Sequence, residues 1–302
     1  MTTTWHGVIP ALMTEMKQDG ALDLEGTARH IESCIDAGCE GFVMLGTLGE
    51  NSSLSSDEKE AVVRAAAEAA GGRAPIIAGV AEYTTSLAIE AGRRARKAGA
   101  AGLMALPTMV YQQDSREAVQ HFLALARGVD LPIMIYNNPV SYKVDLKPDD
   151  FTQLTGERNI VAVKESSHDS RRVTDMINML GDRFALFCGV DDLVLENVLF
   201  GAVGWVSGMA NSFPREAVQL FKLAEAGRTK EAVDLYRWFM PLLHLDTAVK
   251  LVQYIKLSNQ MTGEGAEWVR APRLTLTGEE RKRVEGIIQQ AIATRPNLQP
   301  IS

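Results

Sequence analysis

Apolar residues follow two alternating patterns along this chain. Short unbroken runs at 8–13, 41–45, 75–79, 101–106, 131–136, 160–164, 184–188 and 202–206 predict strands buried on both faces, like parallel strands covered by helices. Between them apolar positions recur every three or four residues, which predicts helices over 24–37, 59–70, 86–97, 115–127, 147–155, 169–180 and 191–200. Ser55 and Glu58 form a cap before the second helix, and Gly38, Gly71, Gly99 and Gly181 stand where left-handed C-caps are needed. Eight strands alternating with helices predict an α/β fold, the (β/α)8 TIM barrel. The alternative is an open doubly wound sheet. That sheet would carry a glycine-rich phosphate turn after its first strand, and Pro10-Ala11-Leu12-Met13-Thr14 is no such turn. Further helical patterns fill 214–226, 229–245, 248–261 and 277–293, before a loose tail with Pro296 and Pro300. The expected organisation is a barrel over 1–212 and a C-terminal helical extension over 213–302 packed on it.

Composition narrows the function classes. Hydrophobic residues make up 46% and charged residues 23% of the 302, enough to bury a large core without disulfides or structural metals. The net charge is −7 and the 31 Lys and Arg are scattered, which argues against a nucleic-acid partner. The most apolar stretch, 198–210, is broken by glycine and too short for a bilayer, so no membrane partner is expected. Met1-Thr2-Thr3-Thr4-Trp5-His6-Gly7 shows no charged segment before an apolar core, so no signal peptide is visible. The odd, sparse set Cys34, Cys39 and Cys188 predicts buried thiols in a reducing, cytoplasmic setting rather than a zinc site. His6, His30 and His121 have no partner at metal-ligand spacing.

Lys164 draws the chemical reading. It ends the sixth predicted strand, at the end of a barrel where active sites are built. A lysine desolvated there loses its proton more readily and can attack a carbonyl; one just past the strand could equally reach out to solvent. Tyr136 ends the fifth strand at the equivalent place, so phenol and amine would be neighbours able to exchange protons. Alone, Tyr136 would read as a core-capping side chain. Gly46-Thr47-Leu48-Gly49-Glu50 ends the second strand, and its backbone could hold a carboxylate or simply turn. Ser141 and Tyr142 follow the fifth strand on a loop, where specificity residues occur. The remaining polar residues read as structural. His168 would begin the next helix facing solvent, His244 would pack near Trp238, Trp205 would fill the core, and Asp191-Asp192 would cap the following helix.

Taken together, Gly46-Thr47-Leu48-Gly49-Glu50, Tyr136-Asn137-Asn138-Pro139, Val163-Lys164-Glu165-Ser166-Ser167, Gly189-Val190-Asp191-Asp192, Gly204-Trp205-Val206-Ser207 and Val269-Arg270-Ala271-Pro272 resemble the dihydrodipicolinate synthase and N-acetylneuraminate lyase superfamily. The resemblance runs from Gly7 to Leu276. It implies a homotetrameric barrel with Lys164 as the Schiff-base lysine, Tyr136 as the proton-shuttling tyrosine and Thr47 hydrogen-bonded to that tyrosine. It further implies that amides at Gly46, Thr47 and Leu48 hold a 2-oxo acid, that Gly189 and Val206 line the pocket, and that no metal or organic cofactor is needed. Three departures stand out. Leu48 replaces a second threonine, Ser141 replaces the arginine that binds an aldehyde substrate's carboxylate, and Thr108-Met109-Val110-Tyr111 replaces a Tyr-Tyr pair, one tyrosine of which serves the neighbouring subunit.

Within the superfamily, 136–145 and 240–246 resemble the 1-pyrroline-4-hydroxy-2-carboxylate deaminases. That likeness implies a lyase acting on a cyclic imine. The alternatives are an aldolase or dehydratase of a 2-oxo-3-deoxy sugar acid, dihydrodipicolinate synthase itself, and a non-catalytic barrel that binds a 2-oxo acid.

Overall fold

A computed structural model describes residues 5–299; Met1–Thr4 and the last three positions of the expected tail, with Pro300, lie outside it. Eight strands form one parallel sheet: β1 (Gly7–Pro10), β2 (Phe42–Met44), β3 (Ile76–Val80), β4 (Gly102–Ala105), β5 (Ile133–Asn137), β6 (Ile160–Glu165), β7 (Ala185–Cys188) and β8 (Gly204–Ser207). Neighbours in sequence are neighbours in space, β8 pairs with β1, and an Ala11–Val43 bridge closes the ring between β1 and β2. The chain is a (β/α)8 TIM barrel with C-terminal helices. The strands are buried along nearly their whole length because side chains alternate between the barrel interior and the helical layer.

The barrel helices are α1 (Leu24–Asp36), α2 (Ser56–Ala70), α3 (Thr85–Lys97), α4 (Ser115–Gly128), α5 (Pro139–Tyr142), α6 (Arg171–Leu180), α7 (Val194–Leu199) and α8 (Pro214–Glu225); α9 (Thr229–Asp246), α10 (Leu251–Thr262) and α11 (Gly278–Ala293) follow. In α2, Ser55 and Glu58 satisfy each other's backbone amides, and Gly71 ends the helix at φ 55°.

Two predicted helices differ from expectation. The 147–155 stretch is a 3-10 helix, Pro148–Leu154, and 191–200 splits into a 3-10 turn, Asp191–Leu193, followed by α7. A 3-10 helix rises about 2 Å per residue, so it spans a given crossover with fewer residues than an α-helix. The one-turn α5 was not foreseen. α8 packs on β1 and α7, α9 on α8, and α10 and α11 on α9, so the chain after β8 returns over the barrel.

Candidate active site

Register brings the amine and the phenol together. Tyr136 pairs with Lys164 across β5 and β6, and Lys164 Nζ lies 4.0 Å from the centroid of the Tyr136 ring. Both side chains line a cavity of about 440 Å³ at the C-terminal ends of the strands. Burial lowers the pKa of Lys164, and the opposing pull of Asp246, Tyr142 and Asp191 does not cancel that effect. The neutral amine a nucleophile needs is thereby favoured. Gly189 makes room for it: a Cβ there would come 2.7 Å from Cγ and Cε of Lys164.

Burial pushes the Tyr136 phenol up to about 12, against a hydrogen bond from Asn138 Nδ2 at 2.9 Å. The phenol therefore carries its proton at neutral pH. The Thr47 hydroxyl was expected against Tyr136. It lies instead 2.6 Å from the Tyr142 hydroxyl, and the Tyr142 ring stands edge-on to Tyr136 with centroids 5.7 Å apart. The cause is α5. Pro139 opens that turn and the Asn138 side chain accepts from the Ser141 amide at 2.9 Å, so the loop curls Tyr142 back over the strand ends. Asn137 secures the same loop from below: its side chain donates to the Leu146 carbonyl at 3.1 Å and the Glu165 carboxylate at 2.9 Å, and accepts from the Leu146 amide at 3.0 Å.

The turn that carries Thr47 is built under strain. Leu45 and Glu50 both sit in the left-handed region, at φ 60° and 51°, a conformation that costs on the order of 1–3 kcal/mol per residue. Two devices hold it. Asn51 Nδ2 donates to the Leu45 and Gly79 carbonyls at 2.9 and 3.2 Å. The wholly buried Glu50 carboxylate accepts from Lys256 Nζ at 2.7 Å and from the Arg270 amide at 3.0 Å. Lys256 belongs to α10 and also donates to the Thr14 and Trp268 carbonyls, so the chain after the barrel is tied to this turn.

Lys164, Tyr136, Thr47, Gly46, Leu48, Ser141, Gly189 and Val206 all line the one cavity. Tyr142 stands behind Thr47 rather than on the lining. His168 is exposed at the rim, ahead of α6, in a left-handed conformation. Trp205 is fully buried, as expected of a core residue. Two readings are corrected. Asp191 does not cap the following helix; its buried carboxylate accepts from Trp205 Nε1 at 2.8 Å, Ser207 Oγ at 3.1 Å and the Gly208 and Met209 amides at 3.2 and 2.7 Å, because the turn after β8 leaves those donors without other partners. His244 does not pack with Trp238. Its Nδ1 bonds Asp192 at 2.8 Å, while Trp238 stacks on Phe239.

Asp246 was missed as a site residue. It ends α9, lines the cavity and presses on Gly208, whose Cβ, if present, would come 2.0 Å from Asp246 Oδ1. Burial and the neighbouring Asp191 raise its pKa well above the ordinary aspartate value, although Lys164 opposes them. Asp246 closes the 240–246 segment that carried the subgroup resemblance, and that was its signal; a lone acid at the end of a helical pattern has no chemistry legible by itself.

The comparisons with known proteins agree with this geometry. The model of the dihydrodipicolinate synthetase family matches residues 4–291. A 4-hydroxy-tetrahydrodipicolinate synthase of Methanothrix thermoacetophila is 32% identical over 94% of this chain and 96% of its own, and one of an Exiguobacterium species is 35% identical over 89% and 91%. The structure of dihydrodipicolinate synthase from Acinetobacter baumannii complexed with pyruvate superposes with a TM-score of 0.91 at 29% identity, covering 95% of this chain and 98% of that one. With the barrel and nearly the full length in common, the chain belongs to the dihydrodipicolinate synthetase family of lyases.

Proposed function

We propose that this family member uses Lys164 to form a Schiff base with the cyclic imine 1-pyrroline-4-hydroxy-2-carboxylate, and releases ammonia and 2,5-dioxopentanoate. The observation that carries the reading is a desolvated amine 4.0 Å from a phenol ring in a cavity whose arginine position is held by Ser141. Lys164 adds to C2 and the ring nitrogen departs as an amine, opening the ring. The resulting iminium acidifies C3. Loss of the C3 proton beside Tyr136 gives an enamine, which expels the C4 hydroxyl as water. A proton then moves from C5 to C3, the resulting C4=C5 enamine tautomerises to the C5 imine, and hydrolysis at C2 and C5 frees the lysine, the dioxo acid and ammonia. Holding the reactants together supplies about 7–11 kcal/mol in favourable cases. Backbone amides at Gly46, Thr47 and Leu48 hold the carboxylate. No second carbonyl substrate has to be gripped, which fits the short Ser141 side chain.

The relatives' names favour a second reading, condensation of pyruvate with aspartate semialdehyde. A substrate panel separates the two, with borohydride trapping on Lys164 as the common readout. Ammonia release from the cyclic imine, absent in Lys164→Ala, is expected. Turnover confined to pyruvate plus aspartate semialdehyde, or to 2-oxo-3-deoxy sugar acids, would overturn the deaminase reading. Absence of any mass gain on Lys164 would remove the enzymatic one.

A further inference from the structure

We infer that Asp246 is a catalytic residue, the acid that protonates the C4 hydroxyl as it leaves. The inference rests on the deaminase reading above and gives that site a second proton-transfer group. Lys164 lies on β6, with Tyr136 on β5 to one side. Asp246 stands over Gly208, just past β8, on the other side, with Gly189 of the β7 turn between. Two proton-transfer groups therefore flank the amine. An elimination needs two: one to take a proton from C3, which Tyr136 can do once it has given its own to the departing ring nitrogen, and one to give a proton to the departing oxygen.

Asp191 and Asp246 both flank Gly208, but they differ in what they can do. Asp191 is saturated by four donors and does not line the cavity. Asp246 receives no hydrogen bond from any described residue and faces the cavity. Burial and Asp191 raise its pKa against the pull of Lys164, which favours the proton-bearing form that a donor to the leaving oxygen needs. The step balances. The electron pair of the broken C3–H bond becomes the C3=C4 bond, the C4–O pair leaves with the oxygen, and the Asp246 proton completes a water molecule. The carboxylate left behind is reprotonated from solvent, and nothing is oxidised or reduced.

The test compares the parent with Asp246→Asn and Asp246→Glu on pyruvate, on 1-pyrroline-4-hydroxy-2-carboxylate and on an open-chain 2-oxo-3-deoxy sugar acid. Pyruvate has no leaving hydroxyl, so trapping it reports an intact fold and lysine. Asp246→Asn should trap pyruvate within about threefold of the parent, yet release ammonia on the order of 100-fold more slowly, with Asp246→Glu recovering part of the rate. Parental turnover in Asp246→Asn would overturn the assignment. So would an equal loss of trapping and turnover in a variant that melts like the parent, since Asp246 would then serve only to tune the lysine. If the parent dehydrates the sugar acid but not the cyclic imine, the deaminase reading falls and Asp246 is judged by the same ratio on the sugar acid. If the parent removes the hydroxyl from neither, both readings fall.

Discussion

The cavity has two walls of different origin. One wall consists of strand ends: Tyr136, Lys164, Gly189 and Val206, with the Gly46–Leu48 turn beside them. Sheet register places these residues, and a glycine clears the space the lysine occupies. The other wall, Asp246 to Val249 and Leu251, is the junction between α9 and α10, where Val249 is fully exposed. The first wall carries the amine of the proposed chemistry. The second is free of ladder geometry and can change with the substrate.

The two walls meet at the Glu50–Lys256 pair, and cutting that link is the strongest way to break the comparison. Lys256→Met takes from a fully buried carboxylate its hydrogen-bonded cation at 2.7 Å and leaves only Arg273 at 3.6 Å. The expected loss of stability is about 3–5 kcal/mol, read by denaturant unfolding, together with lost pyruvate trapping because the Thr47 turn relaxes. Unchanged stability would show that the walls stand independently.

Gly189→Ala attacks the strand wall alone. Its methyl would come 2.0 Å from the buried Ser166 Oγ and 2.7 Å from Cγ and Cε of Lys164, so both side chains must shift. A shift near 1 Å slows a positioned reaction by about 10²-fold, so pyruvate trapping should slow that much, with about 1–3 kcal/mol of stability lost to overpacking.

The smallest effect lies in the loop after α5, outside both walls. The Arg172 guanidinium grips Asp145 at 2.6 and 3.0 Å, and Lys147 also bonds it. Burial pushes that carboxyl up, but these cations outweigh it and hold it at about 2, below its usual 3.8. Its contribution is therefore full above the usual value and fades as the pH falls toward 2. Asp145→Asn should cost under about 1 kcal/mol at neutral pH, because the pair is partly solvated. The variant should also flatten the acid limb of the stability curve; an identical limb would contradict the pairing.

How much was legible in the sequence follows the same division. Continuous apolar runs revealed all eight strands, and equal placement of Tyr136 and Lys164 at their ends foretold their contact. The Thr47–Tyr142 bond escaped because it depends on a one-turn helix four residues long, below the reach of periodicity. Asp191 was misread because a carboxylate ahead of a helix looks like a cap whether it bonds that helix or, as here, the turn after β8. Asp246 escaped because its meaning lies in Gly208, a partner distant in sequence and joined to it only by folding.

The tie between Glu50 and Lys256 also has a consequence in time. During synthesis the second strand and its turn leave the ribosome early, while the residue that neutralises Glu50 comes five-sixths of the way along the chain. A nascent chain that has emitted all eight strands still carries a buried charge awaiting its mate, and its reaction chamber has one side open. Catalytic competence should therefore arrive late and abruptly, once α10 has docked.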